Sequence, residues 1–149
     1  MEREELLVRE LSELTGAEME LSPDKTCDLA VGDHIVVLRY RPEDGDWLYF
    51  GIIAEPEGGP SREMLAKALE LNLFGAETLG LHLGLFGDAL ILSGTAAMEG
   101  LTAESFAEKL LFLSRQMDKL GEKLSAGEAE SAPGAGEVPS PWESGFMQV

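Results

Sequence analysis

Between Leu79 and Phe86 the chain alternates without a break. Leu79, Leu81, Leu83 and Leu85 occupy every second position, and Gly80, His82, Gly84 and Phe86 fill the gaps. A period of two over eight residues is the pattern of a β-strand, because successive side chains leave a strand on opposite faces. The pattern predicts a strand with a leucine ladder on one face. The other face is stripped to glycine at two positions, which lets another backbone or a helix approach closely. Gly87-Asp88 supplies a turn, and Ala89 to Thr95 reads as the partner strand.

Three further strands are expected upstream: Cys27 to Val31, His34 to Tyr40 and Trp47 to Ala54. Gly32-Asp33 and Pro42-Glu43-Asp44-Gly45 are the turns between them. The last two are apolar on both faces, since Ile35 to Leu38 and Trp47 to Phe50 are consecutive runs. A strand with one wet face alternates instead, so both faces of this sheet are expected to want cover. Helices complete the pattern. The first runs from Arg3 to Thr15, with Leu7, Leu11 and Leu14 at helical spacing, Leu6 beside them and Gly16 as a stop. The second starts at Ser61, a good N-cap, and ends near Leu73, before Gly75. The third starts near Thr102 and carries a seam of Phe106, Leu110, Leu113, Met117, Leu120 and Leu124. The order α-β-β-β-α-β-β-α, with hairpin-linked strands, predicts an α+β fold with an antiparallel sheet.

Composition sets the limits. A chain of 149 residues fits one domain and a tail. The expected domain is residues 1–122. Residues 123–149 are rich in Ser, Gly, Pro and Ala, carry no arginine and end with four scattered glutamates, which predicts a disordered acidic tail. Within that tail Trp142, Phe146 and Met147 form an apolar cluster, read either as an inert end or as a short docking motif. Residues 1–124 hold 24 of the 28 acidic side chains and all 11 basic ones, so the net charge of −17 belongs mainly to the folded part. Such a chain has no basic cluster for nucleic acid and no attraction to anionic lipid. The longest apolar run, Trp47 to Ala54, is too short to span a bilayer. A single cysteine and an acidic N-terminus predict a soluble cytoplasmic protein without a secretory signal.

The residues that carry chemistry are few. His34 and His82 fall in predicted strands, and Cys27 has no neighbouring histidine, so neither a metal cluster nor a nucleophile pair emerges. Gly58-Gly59-Pro60-Ser61 precedes a helix but lacks the lysine and spacing of a phosphate loop. Glu43, Asp44 and Asp46 read as a solvated turn. No cofactor is expected. A small enzyme using Glu70, Glu77 or Asp88 is a rival reading, although no spacing pairs those carboxylates. A purely structural dimerisation module is another. What stands out is apolar surface in excess of what three helices can cover, which calls for a second copy, a partner or both.

The segment from Leu65 to Gly75, running into Leu79-Gly80-Leu81-His82-Leu83-Gly84-Leu85, resembles the class I type III secretion chaperones, the CesT-like Tir chaperone family. There a helix ending in an Asn-containing segment leads into a Gly-rich strand, and the element order, size and acidity also match over residues 3–121. The resemblance implies a homodimer that binds the N-terminal region of a secreted effector in extended form, with no nucleotide and no catalysis. It nominates Met64, Leu65, Ala68, Leu71, Leu83 and Leu85 for the dimer interface, and Leu7, Leu11, Val36, Leu38 and Tyr40 for the effector. With this resemblance the tail cluster Trp142, Phe146 and Met147, if it docks, would meet the secretion apparatus or cap the protein's own empty groove. A regulatory adaptor on the same fold, binding another chaperone or a transcriptional regulator, is the alternative reading.

Overall fold

The structure, a computed structural model, describes residues 2–73 and 79–130. Helix α1 spans Arg3–Thr15, α2 Arg62–Asn72 and α3 Ala103–Glu130; the strands are β1 Thr26–Val31, β2 His34–Arg41, β3 Asp46–Ala54, β4 His82–Phe86 and β5 Ala89–Ala97. All five strands form one antiparallel sheet in the order β1-β2-β3-β5-β4. The α+β order expected from the sequence is the order observed.

Local chemistry sets the boundaries. Gly16 ends α1 in the left-handed region, at φ 76°, with its N–H donating to Ser12 O. The Ser61 hydroxyl accepts from the Met64 N–H, 3.1 Å away, and so caps α2. Two hairpins close through Gly-Asp loops, Gly32-Asp33 and Gly87-Asp88, each with the glycine at φ 61° in the first loop position. That conformation suits the twist of the flanking strands and is open to glycine at little cost. A part-buried pair fastens α1 to the approach to β1: Lys25 Nζ donates to Glu4 Oε1 at 3.0 Å. Burial pushes the Glu4 carboxyl up, but the backbone N–H and the Lys25 ammonium overcome this and hold it below its usual value.

One expectation changes. The alternating segment is not a strand throughout, because Leu79 and Gly80 adopt positive φ, 53° and 91°, and β4 begins only at His82. Helix α3 carries the expected seam as far as Leu124, which is 1 % exposed, and runs on to Glu130. Gly75, Glu77 and the cluster Trp142, Phe146 and Met147 lie outside the described residues.

Helix α3 crosses one face of the sheet and packs against α1 and α2. Phe106, Leu110, Leu113, Met117, Leu120 and Leu124 are all closed to solvent against it. The close approach expected at Gly84 occurs elsewhere. A Cβ on Gly84 would meet nothing nearer than Ile91 at 3.7 Å, whereas one on Gly94 would stand 2.7 Å from the Tyr49 ring and one on Gly51 2.6 Å from Met117 Sδ. Glycines of β3 and β5 therefore let α3 and Tyr49 settle onto the sheet.

Candidate functional site

The strand register sorts every sheet residue onto one of two faces. Cys27, Leu29 and Val31 stand opposite Leu38, Val36 and His34, and the same face continues through Tyr49 and Gly51 to Gly94 and Leu92. This is the face under α3, and it is buried. The opposite face carries Ile35, Val37, Leu48, Phe50, Ile52 and Ile91, and among the described residues no helix covers it. Ile35 and Ile52, cross-strand neighbours, are 61 % and 48 % exposed. The row they belong to runs Ala30, Ile35, Ile52, Ile91, Gly84 across all five strands. Among the described residues, one side of the sheet therefore has its cover and the other does not.

This corrects the residues nominated for a partner. Leu7, Leu11, Val36 and Leu38 lie in the core and are 3 % exposed or less; Tyr40 is half-buried against Trp47. A bound chain cannot reach the first four without opening the domain. The accessible apolar residues are their neighbours on the other side of each element: Leu6 and Leu14 on α1, Ile35 and Val37 on β2. The only warning in the sequence was that these strands are apolar on both faces.

The two edges of the sheet are finished differently. Tyr40 N–H donates to Lys25 O, which fixes the phase of the β1–β2 ladder and turns the backbone groups of Thr26, Asp28 and Ala30 outward. Ser22 satisfies both of Thr26's: its N–H donates to Thr26 O at 2.9 Å and its hydroxyl accepts from Thr26 N–H at 3.1 Å. Asp28 and Ala30 remain exposed, so β1 offers a short open edge. On β4 the outward groups belong to Leu83 and Leu85. Asn72 takes both of Leu83's, donating from Nδ2 to Leu83 O and accepting from Leu83 N–H, each at 2.8 Å. The amide acts as a one-residue strand and closes the centre of that edge.

The same bridge draws the end of α2 onto β4. Around this corner Leu69, Leu73, Leu79, Leu85 and Phe86 are all more than half exposed. Of the residues nominated for a dimer, Leu85 is accessible and Leu65 half-buried, while Met64, Ala68, Leu71 and Leu83 face inward and support the patch from beneath. Leu69, Leu73 and Phe86, not among the residues nominated from the sequence, are exposed here too: Leu69 follows buried Ala68 on α2, Leu73 caps that helix and Phe86 ends β4.

The polar residues are taken up by structure. Cys27 is buried, and burial pushes its thiol up to about 11, which leaves it protonated and unreactive near neutrality. His34 Nε2 sits 2.7 Å from Asp118 Oδ1 and ties β2 to α3. In the acidic turn, Asp46 receives a two-pronged contact from Arg41 at 2.7 and 2.8 Å. His82, Glu70 and Asp88 are exposed and separate. Among the described residues no three His, Cys, Asp or Glu are grouped to hold a metal ion, and no helix is long and apolar enough to cross a membrane.

Solved structures share this architecture. A chain of the ExsC–ExsE complex aligns with a TM-score of 0.69 at 17 % identity, covering 81 % of this chain and 92 % of that one. A chain of the HopA1–SchA chaperone–effector complex aligns with a TM-score of 0.64 at 18 % identity, covering 80 % and 94 %. The Yersinia pestis type III secretion chaperone SycH, solved with a stable fragment of YscM2, gives 0.59 at 18 % identity, covering 81 % and 98 %. At these identities the likeness is one of fold. Comparison with curated proteins yields no match. The sequence profile of the Tir chaperone protein (CesT) family, however, matches residues 6–120, most of the chain and every element from α1 into α3. The chain belongs to the Tir chaperone protein (CesT) family.

Proposed function

We propose that this protein is a cytoplasmic type III secretion chaperone. It binds the N-terminal region of a secreted effector in extended form and keeps it soluble and competent for export. The observation that carries the reading is the uncovered apolar sheet face bordered by the open edge of β1. An extended segment adding to β1 gains backbone hydrogen bonds from Asp28 and Ala30, and its apolar side chains settle on the row that begins at Ala30 and Ile35. The resemblance to complexes in which a chaperone holds an effector supports the same reading. The protein acts as a homodimer through the corner at Leu69, Leu73, Leu79, Leu85 and Phe86, backed by Met64, Leu65, Ala68, Leu71 and Leu83. It acts by binding alone. The buried, protonated Cys27 and the engaged His34 fit a chain without catalytic groups.

Native mass spectrometry of the tagged protein from its own cells tests this. The expected species is a dimer near twice 16.1 kDa carrying one additional polypeptide held by its N-terminal segment. Ile35→Glu, placed on the exposed face, should release that polypeptide and leave the dimer intact. A bare monomer, or a polypeptide retained by the variant, would sink the assignment of this face.

A further inference from the structure

The apolar row Ala30, Ile35, Ile52, Ile91, Gly84 lies at the end of the sheet past which α3 runs. Asp118 is bonded to His34 there, and a Cβ on Gly121 would stand 3.5 Å from Ile53. The helix then continues to Glu130. Nine residues at 1.5 Å each carry it about 14 Å beyond Gly121. Nineteen residues follow, and they hold Glu137 and Glu143, no lysine or arginine, and the cluster Trp142, Phe146 and Met147.

Reach and charge both direct that cluster to the open face. The return path is about 14 Å along the helix direction and about 10 Å across the sheet. Trp142 stands twelve residues after Glu130, which spans roughly 19 Å as a coil and about 40 Å at full stretch. On the open face Arg39, exposed and within Coulombic reach of Asp24, flanks the apolar patch beside Leu48, its partner on β3. It offers Glu143 a counter-charge in a domain that otherwise repels acidic segments. A tether of this length also presents the cluster at an effective concentration in the millimolar range, above that of any second copy at micromolar protein.

We propose that residues Trp142–Met147 dock in cis on the open face, across Ile35, Ile52 and Ile91, and cover it in the isolated protein. The proposal does not depend on the chaperone's client, and its test contains none. The chain has two tryptophans, and Trp47 is fully buried, so subtracting the fluorescence of Trp142→Phe from that of the unaltered protein isolates Trp142. In acrylamide titrations Trp142 should be quenched several-fold less in the native chain than in the denatured one. The shielding should be the same at 0.5 and 50 µM protein on the order of typical working concentrations. Ile52→Lys should abolish it, with Ile35→Lys as the second variant if the first fails to fold. Quenching of native Trp142 at the denatured level would overturn the proposal. So would shielding that persists in both folded variants, which places the cluster elsewhere, or shielding lost on dilution, which makes the occupant a second copy.

Discussion

Asn72 and Gly94 show how much of this fold rests on single atoms. Asn72 supplies one donor and one acceptor to one residue of an edge strand. Replacing it with Leu keeps the volume and removes both bonds, which should cost about 1–3 kcal/mol in urea unfolding. Asn72→Asp is sharper. An ionised carboxylate keeps the bond from Leu83 N–H but turns an oxygen onto Leu83 O, so the folded state favours the protonated acid and raises its pKa. That variant should be nearest to the unaltered protein in acid and lose stability as pH rises through the raised value. At Gly94 an added methyl meets the rigid Tyr49 ring, whereas at Gly51 it meets the flexible end of Met117. Gly94→Ala should therefore cost more than Gly51→Ala, roughly 1–3 kcal/mol for the former. The Glu4–Lys25 pair behaves differently again. Glu4 lies below its ordinary 4.5, so its contribution is present above that pH and is lost as pH falls through the folded value. Lys25, bonded to Glu4, lies above its ordinary 10.5, so its contribution is lost only as pH rises through the folded value. The stability gap between the protein and Lys25→Met should be open at pH 7 and close in acid.

At the level of elements the sequence was legible where one residue decides. Gly16 ends α1 at the expected place, Ser61 starts α2, and the two Gly-Asp loops close the expected hairpins. It was illegible where the answer depends on a distant partner. A strand such as Ile35-Val36-Val37-Leu38 has a readable period but an unreadable phase, because either face could receive α3. The nominated Val36 and Leu38 turned out to be the covered side. The leucine ladder failed for a related reason: Leu79 reads as the first rung, but the turn that enters β4 needs Leu79 and Gly80 in the left-handed region. The edges give a prediction at this scale. Ala30→Pro removes an outward N–H that the sheet does not use, so Tm should move by only a degree or two. If a client adds to β1, its affinity should fall by at least about tenfold, measured by calorimetry with the N-terminal segment of the captured polypeptide.

For the whole molecule, charge and apolar surface pull against each other. In the proposed dimer, two copies each carrying −17 would meet at the α2–β4 corner, and their repulsion would be screened by salt. Sedimentation should therefore show a dimer that tightens as salt is raised from about 20 to 300 mM, where the Debye length falls to several ångströms. Leu69→Glu combined with Phe86→Glu should leave a folded monomer, since both side chains are more than 70 % exposed. A dimer undiminished by that pair would place the contact elsewhere.

The plug on Leu83 has a further consequence. Growth by strand pairing, whether into a fibre or a tangle of half-folded cargo, needs a monomer with two reactive ends. With Asn72 seated, only Leu85 keeps free outward groups on β4, so the longer open edge among the described residues is at β1. In the language of polymer chemistry the sheet is close to monofunctional: strands join it on the β1 side, and it does not readily link two growing stacks through both of its edges. A protein whose task brings it repeatedly against extended polypeptide is thereby kept from seeding the aggregation that such segments invite.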